Sequence, residues 1–174
     1  MAGAAFLSGR QAELMDRPSV HIVCPHCSAI NRIPVGRPAE QAKCGKCHLA
    51  LFEGKPLAVT AEAFDRHVGR NDVPVLVDFW APWCGPCHAM APAYARAAAA
   101  LEPAYRLLKL DTEAVPAIAA RYQIRSIPTL MLFRGGQRVA HTAGAMSTAD
   151  IVSWVQAQAS AADSQGGSTP QAEQ

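Results

Sequence analysis

Six cysteines in three Cys-x-x-Cys pairs constrain this chain more than any other feature of its sequence. The pairs are Cys24–Cys27, Cys44–Cys47 and Cys84–Cys87. Two cysteines at this spacing either point together at a metal ion or alternate between a dithiol and a disulfide. The short apolar stretch Ala4–Leu7 has no basic residue before it, so we expect no secretory signal. We therefore expect a cytosolic protein whose cysteines serve metal binding or catalysis.

Composition and charge exclude several classes of protein. The 174 residues are 50% hydrophobic and 17% charged, with a net charge of +2, which is typical of a globular chain. No segment carries the basic excess typical of a nucleic-acid or membrane surface. No apolar run approaches the about 20 residues of a membrane-spanning helix. We therefore expect neither nucleic-acid nor membrane partners.

Four segments differ in character along the chain. Residues 20–55 are rich in turn formers and too few to bury a core alone, so the first two cysteine pairs are expected to staple them into a zinc-ribbon-like module. Residues 56–159 alternate strand and helix patterns, which indicates an α/β domain. Residues 1–19 are predicted to be a disordered leader, and the Ser/Gly/Gln-rich residues 160–174 a disordered tail.

Local signals place the elements of the second domain. Thr60 is predicted to cap its first helix, Asp111 or Thr112 the third, and Ser147 with Asp150 the last. The predicted strands span about 57–60, 74–80, 105–110, 127–133 and 137–142, and the predicted helices about 61–68, 84–101, 112–122 and 148–159.

The third cysteine pair lies between an apolar strand and an Ala-rich helix. Cys84 therefore falls at a helix N-terminus, where unpaired N–H groups favour the thiolate and make it the nucleophile. Cys87, one turn later, is positioned to resolve a mixed disulfide. The alternatives are a zinc knuckle or two inert core cysteines, although the other four cysteines already form a ligand set of their own.

The residues around this pair resemble the thioredoxin family. Val77–Cys87, with the sequence VDFWAPWCGPC, resembles the family's active-site strand and loop over its whole length. Ile127-Pro128-Thr129 stands where the family has its cis-proline, and Gly144 stands where it has the glycine beside the substrate groove. The resemblance covers residues 56–158 and implies an α/β thioredoxin fold, a central mixed β-sheet flanked by helices, preceded by the small module.

The resemblance implies a protein-disulfide reductase with Cys84 and Cys87 as its dithiol. It further implies that Asp78, on a buried strand with a raised pKa, exchanges protons with Cys87, and that Lys109 lies nearby. The alternatives are a strand-end carboxylate and a strand-end lysine, both in water. The implied substrate-binding residues are Trp83, Gly85, Pro86, Ile127, Pro128 and Gly144.

The first two cysteine pairs are sixteen residues apart, a spacing typical of a four-cysteine zinc site. Residues 24–34 and 44–52 resemble the N-terminal zinc module of bacterial thioredoxin 2. One Zn²⁺ and no tightly bound organic cofactor are expected, with His26 and His48 as flanking residues. Two local disulfides and a second dithiol centre are the competing interpretations. The expected zinc ligands are Cys24, Cys27, Cys44 and Cys47.

Three roles for the zinc module follow from its chemistry. It stabilises or extends the redox domain, or it releases zinc when its thiolates are oxidised, or it is an interaction module of the nucleic-acid-binding kind. Its charge of +3 over residues 1–55, without interleaved aromatic residues, argues against the last role.

The reaction class has two alternatives to a reductase, namely an oxidase or isomerase and a non-catalytic adaptor. Gly85 and Pro86 between the cysteines resemble the reducing thioredoxins. The resemblance then implies recycling by an NADPH-dependent thioredoxin reductase, and substrates of the ribonucleotide reductase, peroxiredoxin or methionine sulfoxide reductase type. It also implies a monomer. His88 replaces the lysine or arginine of many members and either tunes the site with pH or is an inert exposed residue.

Overall fold

A computed structural model of the chain describes residues 19–164, with side chains to residue 158. The expected leader, apart from Ser19 in the first strand, lies outside the described residues, as do residues 165–174 of the expected tail. A short 3-10 helix spans Ala39–Gln41. The strands are β1 (Ser19–Val23), β2 (Ile30–Pro34), β3 (Leu57–Ala58), β4 (Val75–Trp80), β5 (Arg106–Asp111), β6 (Thr129–Arg134) and β7 (Gln137–Ala143), and the α-helices are α1 (Ala61–Arg70), α2 (Gly85–Leu101), α3 (Pro116–Arg121) and α4 (Thr148–Ser164).

The N-terminal module is built on the antiparallel pair β1 and β2, which are joined through the first cysteine pair. A bridge between Lys43 and Ala50 brackets the second cysteine pair in the same way. Its small core contains Ile22, Ile33 and Leu51. The sequence analysis did not predict the strand β2, because the segment is rich in turn formers and has no long apolar run. Only one residue of β2, Ile33, is buried.

The second domain is a five-stranded mixed sheet in the order β3-β5-β4-β6-β7. The strands β3, β5 and β4 are parallel, while β6 runs antiparallel to β4 and pairs with β7 in a hairpin. One apolar cluster packs α2 and α4 on one face, and a second packs α1 and α3 on the other. This is the predicted α/β fold with a mixed sheet flanked by helices.

The central strand β4 explains how a carboxyl group comes to be buried facing the helix that carries the cysteines. All of its residues except Trp80 are buried, and alternate side chains point to opposite faces. Leu76 belongs to the cluster on the α2 face, whereas Val75, Val77 and Phe79 belong to the cluster on the opposite face. Asp78 follows the alternation of Leu76 and therefore faces α2.

A buried arginine joins the N-terminal module to the second domain. Arg106, at the start of β5, donates from Nη1 to Glu102 Oε1 at 2.9 Å and from Nη2 to the Leu51 carbonyl at 2.6 Å. Its guanidinium also lies 4.6 Å from the ring centroid of Phe52. Glu102 Oε2 accepts the N–H of Gly54 at 2.8 Å. Both charged side chains are only 2% exposed, so the module covers the pair completely.

Further contacts lie in the connection between α1 and β4. Asn71 Oδ1 accepts the N–H of Val23 at 2.8 Å, and Asp72 Oδ2 accepts the N–H of His21 at 2.7 Å. These groups precede β4, while the Cys84–Cys87 pair follows it. The module therefore docks at the C-terminal end of α2, a 17-residue helix about 25 Å long, and the redox cysteines lie at the N-terminal end.

Two helix boundaries differ from the sequence prediction by more than two residues. Neither Asp111 nor Thr112 caps α3, which begins only at Pro116 with Val115 as its N-cap. Asp111 Oδ1 accepts the N–H groups of Glu113 and Ala114 in a turn, and Thr112 Oγ1 donates to the Trp80 carbonyl at 3.1 Å. The last helix continues to Ser164, past the expected end at residue 159, because no glycine or proline interrupts it. Within residues 19–164, no helix has the length and apolar character needed to cross a bilayer.

Candidate functional site

Cys84 caps the N-terminus of α2 and is joined to Cys87 by a disulfide, with the two Cα atoms 5.3 Å apart. Its Sγ accepts the N–H of Cys87 at 3.2 Å. Both cysteines are almost fully buried and pack against Ala81, Trp80 and Ile127. A sulfur at a helix N-terminus with a backbone donor in reach is stabilised as the thiolate once the disulfide is reduced. The structure thus places Cys84 where the sequence predicts it.

Asp78 lies on the buried strand β4, where the sequence predicts it. It is 1% exposed, and its Oδ1 has no hydrogen-bond partner among the described residues. Burial raises the pKa of Asp78 from 3.8 to about 7, and the positive charge of Lys109 offsets part of that rise. Lys109 is the Cα partner of Asp78 on β5, and its Nζ lies 4.6 Å from the ring centroid of Trp80. The carboxyl group therefore changes protonation near neutral pH.

The loop before β6 lies against the disulfide. The Ile127–Pro128 peptide bond is cis, and Ile127 packs on the cysteine cluster. The Pro128 carbonyl accepts the N–H of Gly144 at 2.9 Å. Gly144 has a φ of +104°, a conformation that glycine adopts without strain, and a Cβ built there meets no atom within 4 Å. An open strip of backbone thus borders the cysteines.

Trp83 is the most exposed large apolar residue in the described part of the chain, at 69%. Its indole Nε1 donates to Glu113 Oε1 at 3.2 Å, which fixes the ring beside Cys84. Gly85 and Pro86 are also exposed. Of the six residues predicted to bind substrate, Trp83, Gly85 and Pro86 flank the cysteines in the chain and Ile127 packs on them. The Pro128 carbonyl in turn accepts the N–H of Gly144. Sequence reasoning missed Glu113, because no local signal links residues thirty positions apart.

Four cysteine sulfurs of the N-terminal module converge on one point. The Sγ atoms of Cys24, Cys27, Cys44 and Cys47 all lie within 4.8 Å of one another. The pairs Cys24/Cys47 and Cys27/Cys44 are each 3.6 Å apart. A tetrahedral zinc site with bonds of about 2.3 Å requires sulfur atoms about 3.8 Å apart. The four thiolates therefore fit one tetrahedral ion.

The backbone around the two cysteine pairs, Cys24–Cys27 and Cys44–Cys47, also fits a metal site. The N–H of His26 lies 3.4 Å from Cys24 Sγ, and the N–H of Lys46 lies 3.4 Å from Cys44 Sγ. The residue after each pair has a left-handed backbone conformation, with a φ of +57° at Ser28 and +62° at His48. Such N–H donors stabilise thiolate ligands. Neither His26 nor His48 is part of the four-cysteine cluster that could hold a metal ion.

Comparisons with known proteins agree with this geometry. The family model described as "Thioredoxin" matches residues 55–157, and the one described as "Thioredoxin 2, N-terminal" matches residues 23–49. "Thioredoxin C-3" of Corynebacterium nephridii is 41% identical over 137 residues, covering 79% of this chain and 94% of the relative. "Thioredoxin 1" of Nostoc sp. is 50% identical over 88 residues, covering 51% and 82%.

The fold and the redox site thus define a thiol-disulfide oxidoreductase, and the chain belongs to the thioredoxin family. Within that family, its N-terminal segment matches the zinc-ribbon module of thioredoxin 2.

Proposed function

We propose that the protein is a cytosolic protein-disulfide reductase that works through Cys84 and Cys87. The observation that carries the proposal is the placement of Cys84 Sγ at the N-terminus of α2, where it accepts the Cys87 N–H at 3.2 Å. This donor and the helix dipole favour the thiolate, the only form that attacks a disulfide.

The reaction proceeds in two balanced exchanges. The Cys84 thiolate attacks one sulfur of the substrate disulfide, so that a mixed disulfide forms and the other substrate sulfur leaves as a thiolate. Deprotonated Cys87 then attacks Cys84 Sγ and releases the second substrate sulfur. The substrate gains two electrons, and the protein loses two in forming its Cys84–Cys87 disulfide.

Asp78 is proposed to accept the proton of Cys87 before the second exchange. It faces the helix that carries Cys87, and its pKa of about 7 lets it bind and release a proton near neutrality. Lys109 acts electrostatically in this scheme, since its positive charge limits the pKa rise of Asp78.

The substrate is proposed to be an extended protein segment. The backbone around Ile127 and Pro128 pairs with it in the manner of an added strand. The absence of a Cβ at Gly144, and the surface of Trp83, Gly85 and Pro86, leave room for it beside the disulfide. Proteins of the ribonucleotide reductase, peroxiredoxin or methionine sulfoxide reductase type fit this class of substrate.

The oxidised protein is proposed to be re-reduced by an NADPH-dependent thioredoxin reductase, and to act as a monomer. The N-terminal module, residues 20–55, is proposed to hold one zinc ion through its four cysteines and to stabilise the reductase domain, residues 56–159. The ion supplies the bonds that fold a module too small to form a stable core alone. Its docking far from the redox cysteines supports a structural role rather than a catalytic one.

The test is an NADPH-coupled insulin-reduction assay with a bacterial thioredoxin reductase. Cys84→Ser is expected to abolish turnover, and Cys87→Ser is expected to trap a mixed disulfide with insulin at Cys84. Bound zinc, measured on the same samples, is expected at one per chain in both variants. Turnover that survives Cys84→Ser would refute the proposal, and a wild type without turnover would favour an oxidase or an adaptor.

A further inference from the structure

A polar side chain outside the two cysteine pairs of the module, that of Asn31, hydrogen-bonds to the four-cysteine cluster. Asn31 lies on β2 and is half-buried. Its Nδ2 donates to Cys44 Sγ at 3.5 Å and to the Ala29 carbonyl at 3.0 Å, and its Oδ1 accepts the N–H of Gly45 at 2.9 Å. The amide group therefore ties β2 to the second cysteine pair, which begins 13 residues later in the chain.

The partners of this side chain determine the orientation of its amide group. A backbone N–H only donates, so the atom that faces Gly45 is the amide oxygen. The amide nitrogen then faces the Ala29 carbonyl and Cys44 Sγ, which both accept a hydrogen bond. The reverse orientation would place nitrogen against an N–H group and oxygen against a carbonyl. The donation to the cysteine sulfur thus follows from the chemistry of the neighbouring groups.

Cys44 differs from the other three cysteines of the cluster in the donors that it receives. The N–H of Lys46 lies 3.4 Å from Cys44 Sγ, as the N–H of His26 does from Cys24 Sγ. The donor from Asn31 has no side-chain counterpart at the other three sulfurs within residues 19–158. Four thiolates around one Zn²⁺ leave an excess of negative charge, and an N–H donor offsets part of it at the sulfur that accepts.

We propose that Asn31 is a positioning residue of the zinc site, which orients and stabilises the Cys44 thiolate through Nδ2. The inference rests on the proposed zinc site of the module. Without this donor the thiolate is less well oriented and carries charge that no side chain offsets, so zinc is lost more readily. A residue that only supported the turn at Gly45 would need the amide oxygen alone.

The test uses the full chain with the Cys84–Cys87 disulfide intact, so that only the four module thiols are free to bind metal. Asn31→Asp has the same shape and keeps an oxygen for the Gly45 N–H but lacks the donor, whereas Asn31→Ala lacks both. Arg32→Ala, at the exposed next residue of β2, is the matched control. Release of zinc into an excess of the dye pyridylazoresorcinol gives a rate for each protein. The thiolate-to-cobalt charge-transfer band of the Co²⁺-substituted proteins reports on the sulfur electrons.

Asn31→Asp and Asn31→Ala are expected to release zinc about tenfold faster than the wild type, and Arg32→Ala at the wild-type rate. The charge-transfer band of both Asn31 variants is expected to move to longer wavelength, because a sulfur without its donor gives an electron to Co²⁺ more easily. A wild-type rate in Asn31→Asp, or faster release with an unmoved band, would overturn the inference, since the side chain would then only support the turn. A wild-type chain that binds no zinc although its four thiols are free would overturn the proposed zinc site itself, and the inference with it.

Discussion

The carboxyl group of Asp78 is buried on the central strand at a cost to stability. Its pKa of about 7 in the folded chain, against an ordinary value of 3.8, means that folding favours the protonated form. Burial of this group therefore does not lower the free energy of unfolding below about pH 4, where the carboxyl is protonated in both the folded and the unfolded chain. The free energy of unfolding falls as the pH rises from there through 7. The same raised pKa provides a proton acceptor for the proposed second exchange.

Replacing Asp78 tests that cost directly. Asp78→Asn is expected to raise the free energy of unfolding of the oxidised protein by about 4 kcal/mol at pH 8, because each pKa unit is worth about 1.4 kcal/mol. At pH 4 the gain is expected to disappear. Urea denaturation at pH 4, 6 and 8 measures both values. Glu62→Gln, at an exposed carboxylate, is the matched control and is expected to show no gain over this range.

Among the elements, helix α1 carries a cap that the sequence predicts correctly. Thr60 Oγ1 accepts the N–H of Ala63 at 3.3 Å. The same holds for α4, where Ser147 Oγ accepts the N–H of Asp150 at 3.2 Å. In each cap the hydroxyl and the N–H that it accepts belong to residues three positions apart, so local sequence is enough to specify the cap.

The Thr60 cap gives a prediction at the scale of the element. Thr60→Ala is expected to lower the free energy of unfolding by about 1 kcal/mol, because one N–H at the start of α1 loses its partner. Thr60→Ser keeps the hydroxyl and is expected to remain close to the wild type. Urea denaturation of the three proteins provides the comparison, and equal losses in both variants would contradict a capping role.

At the scale of the whole molecule, the Glu102–Arg106 pair joins the zinc-ribbon module to the thioredoxin domain. Arg106→Met is expected to lower the free energy of unfolding by about 3–5 kcal/mol, because Glu102 is left buried and unpaired. Adding Glu102→Gln is expected to recover much of that loss. The exposed pair Asp65–Arg121 is the matched control, and Arg121→Met is expected to cost less than about 1 kcal/mol. Similar losses at both arginines would argue against the joining role of Arg106.

Removal of zinc gives the second prediction at this scale. Cys24→Ser with Cys47→Ser is expected to abolish zinc binding and make the module, residues 20–55, sensitive to protease, because the module loses the ion that holds its cysteines together. Insulin reduction is expected to persist, since the redox cysteines lie at the far end of α2. One sample of the variant is used to measure bound zinc by metal analysis, protease sensitivity by limited proteolysis, and turnover by the insulin-reduction assay. Loss of turnover with the thioredoxin domain still folded would show that the zinc site controls catalysis.

Much of the molecule follows from local sequence. The spacing of the three cysteine pairs predicts one metal cluster and one dithiol, and the alternation of apolar segments predicts the order of strands and helices. The burial of Asp78 was implied by the resemblance to the thioredoxin family together with its place in an apolar strand. These features depend on residues near one another in the chain, so periodicity and spacing carry the information.

Tertiary structure alone decided how the two modules meet and which side chains serve the site from a distance. Arg106 reaches Leu51 across 55 positions, and Trp83 reaches Glu113 across 30. Asp111 was expected to cap a helix and instead holds a turn, since Pro116 delays the start of α3. Such contacts depend on the packing of whole elements against one another, and no local pattern encodes which distant partner a side chain will find.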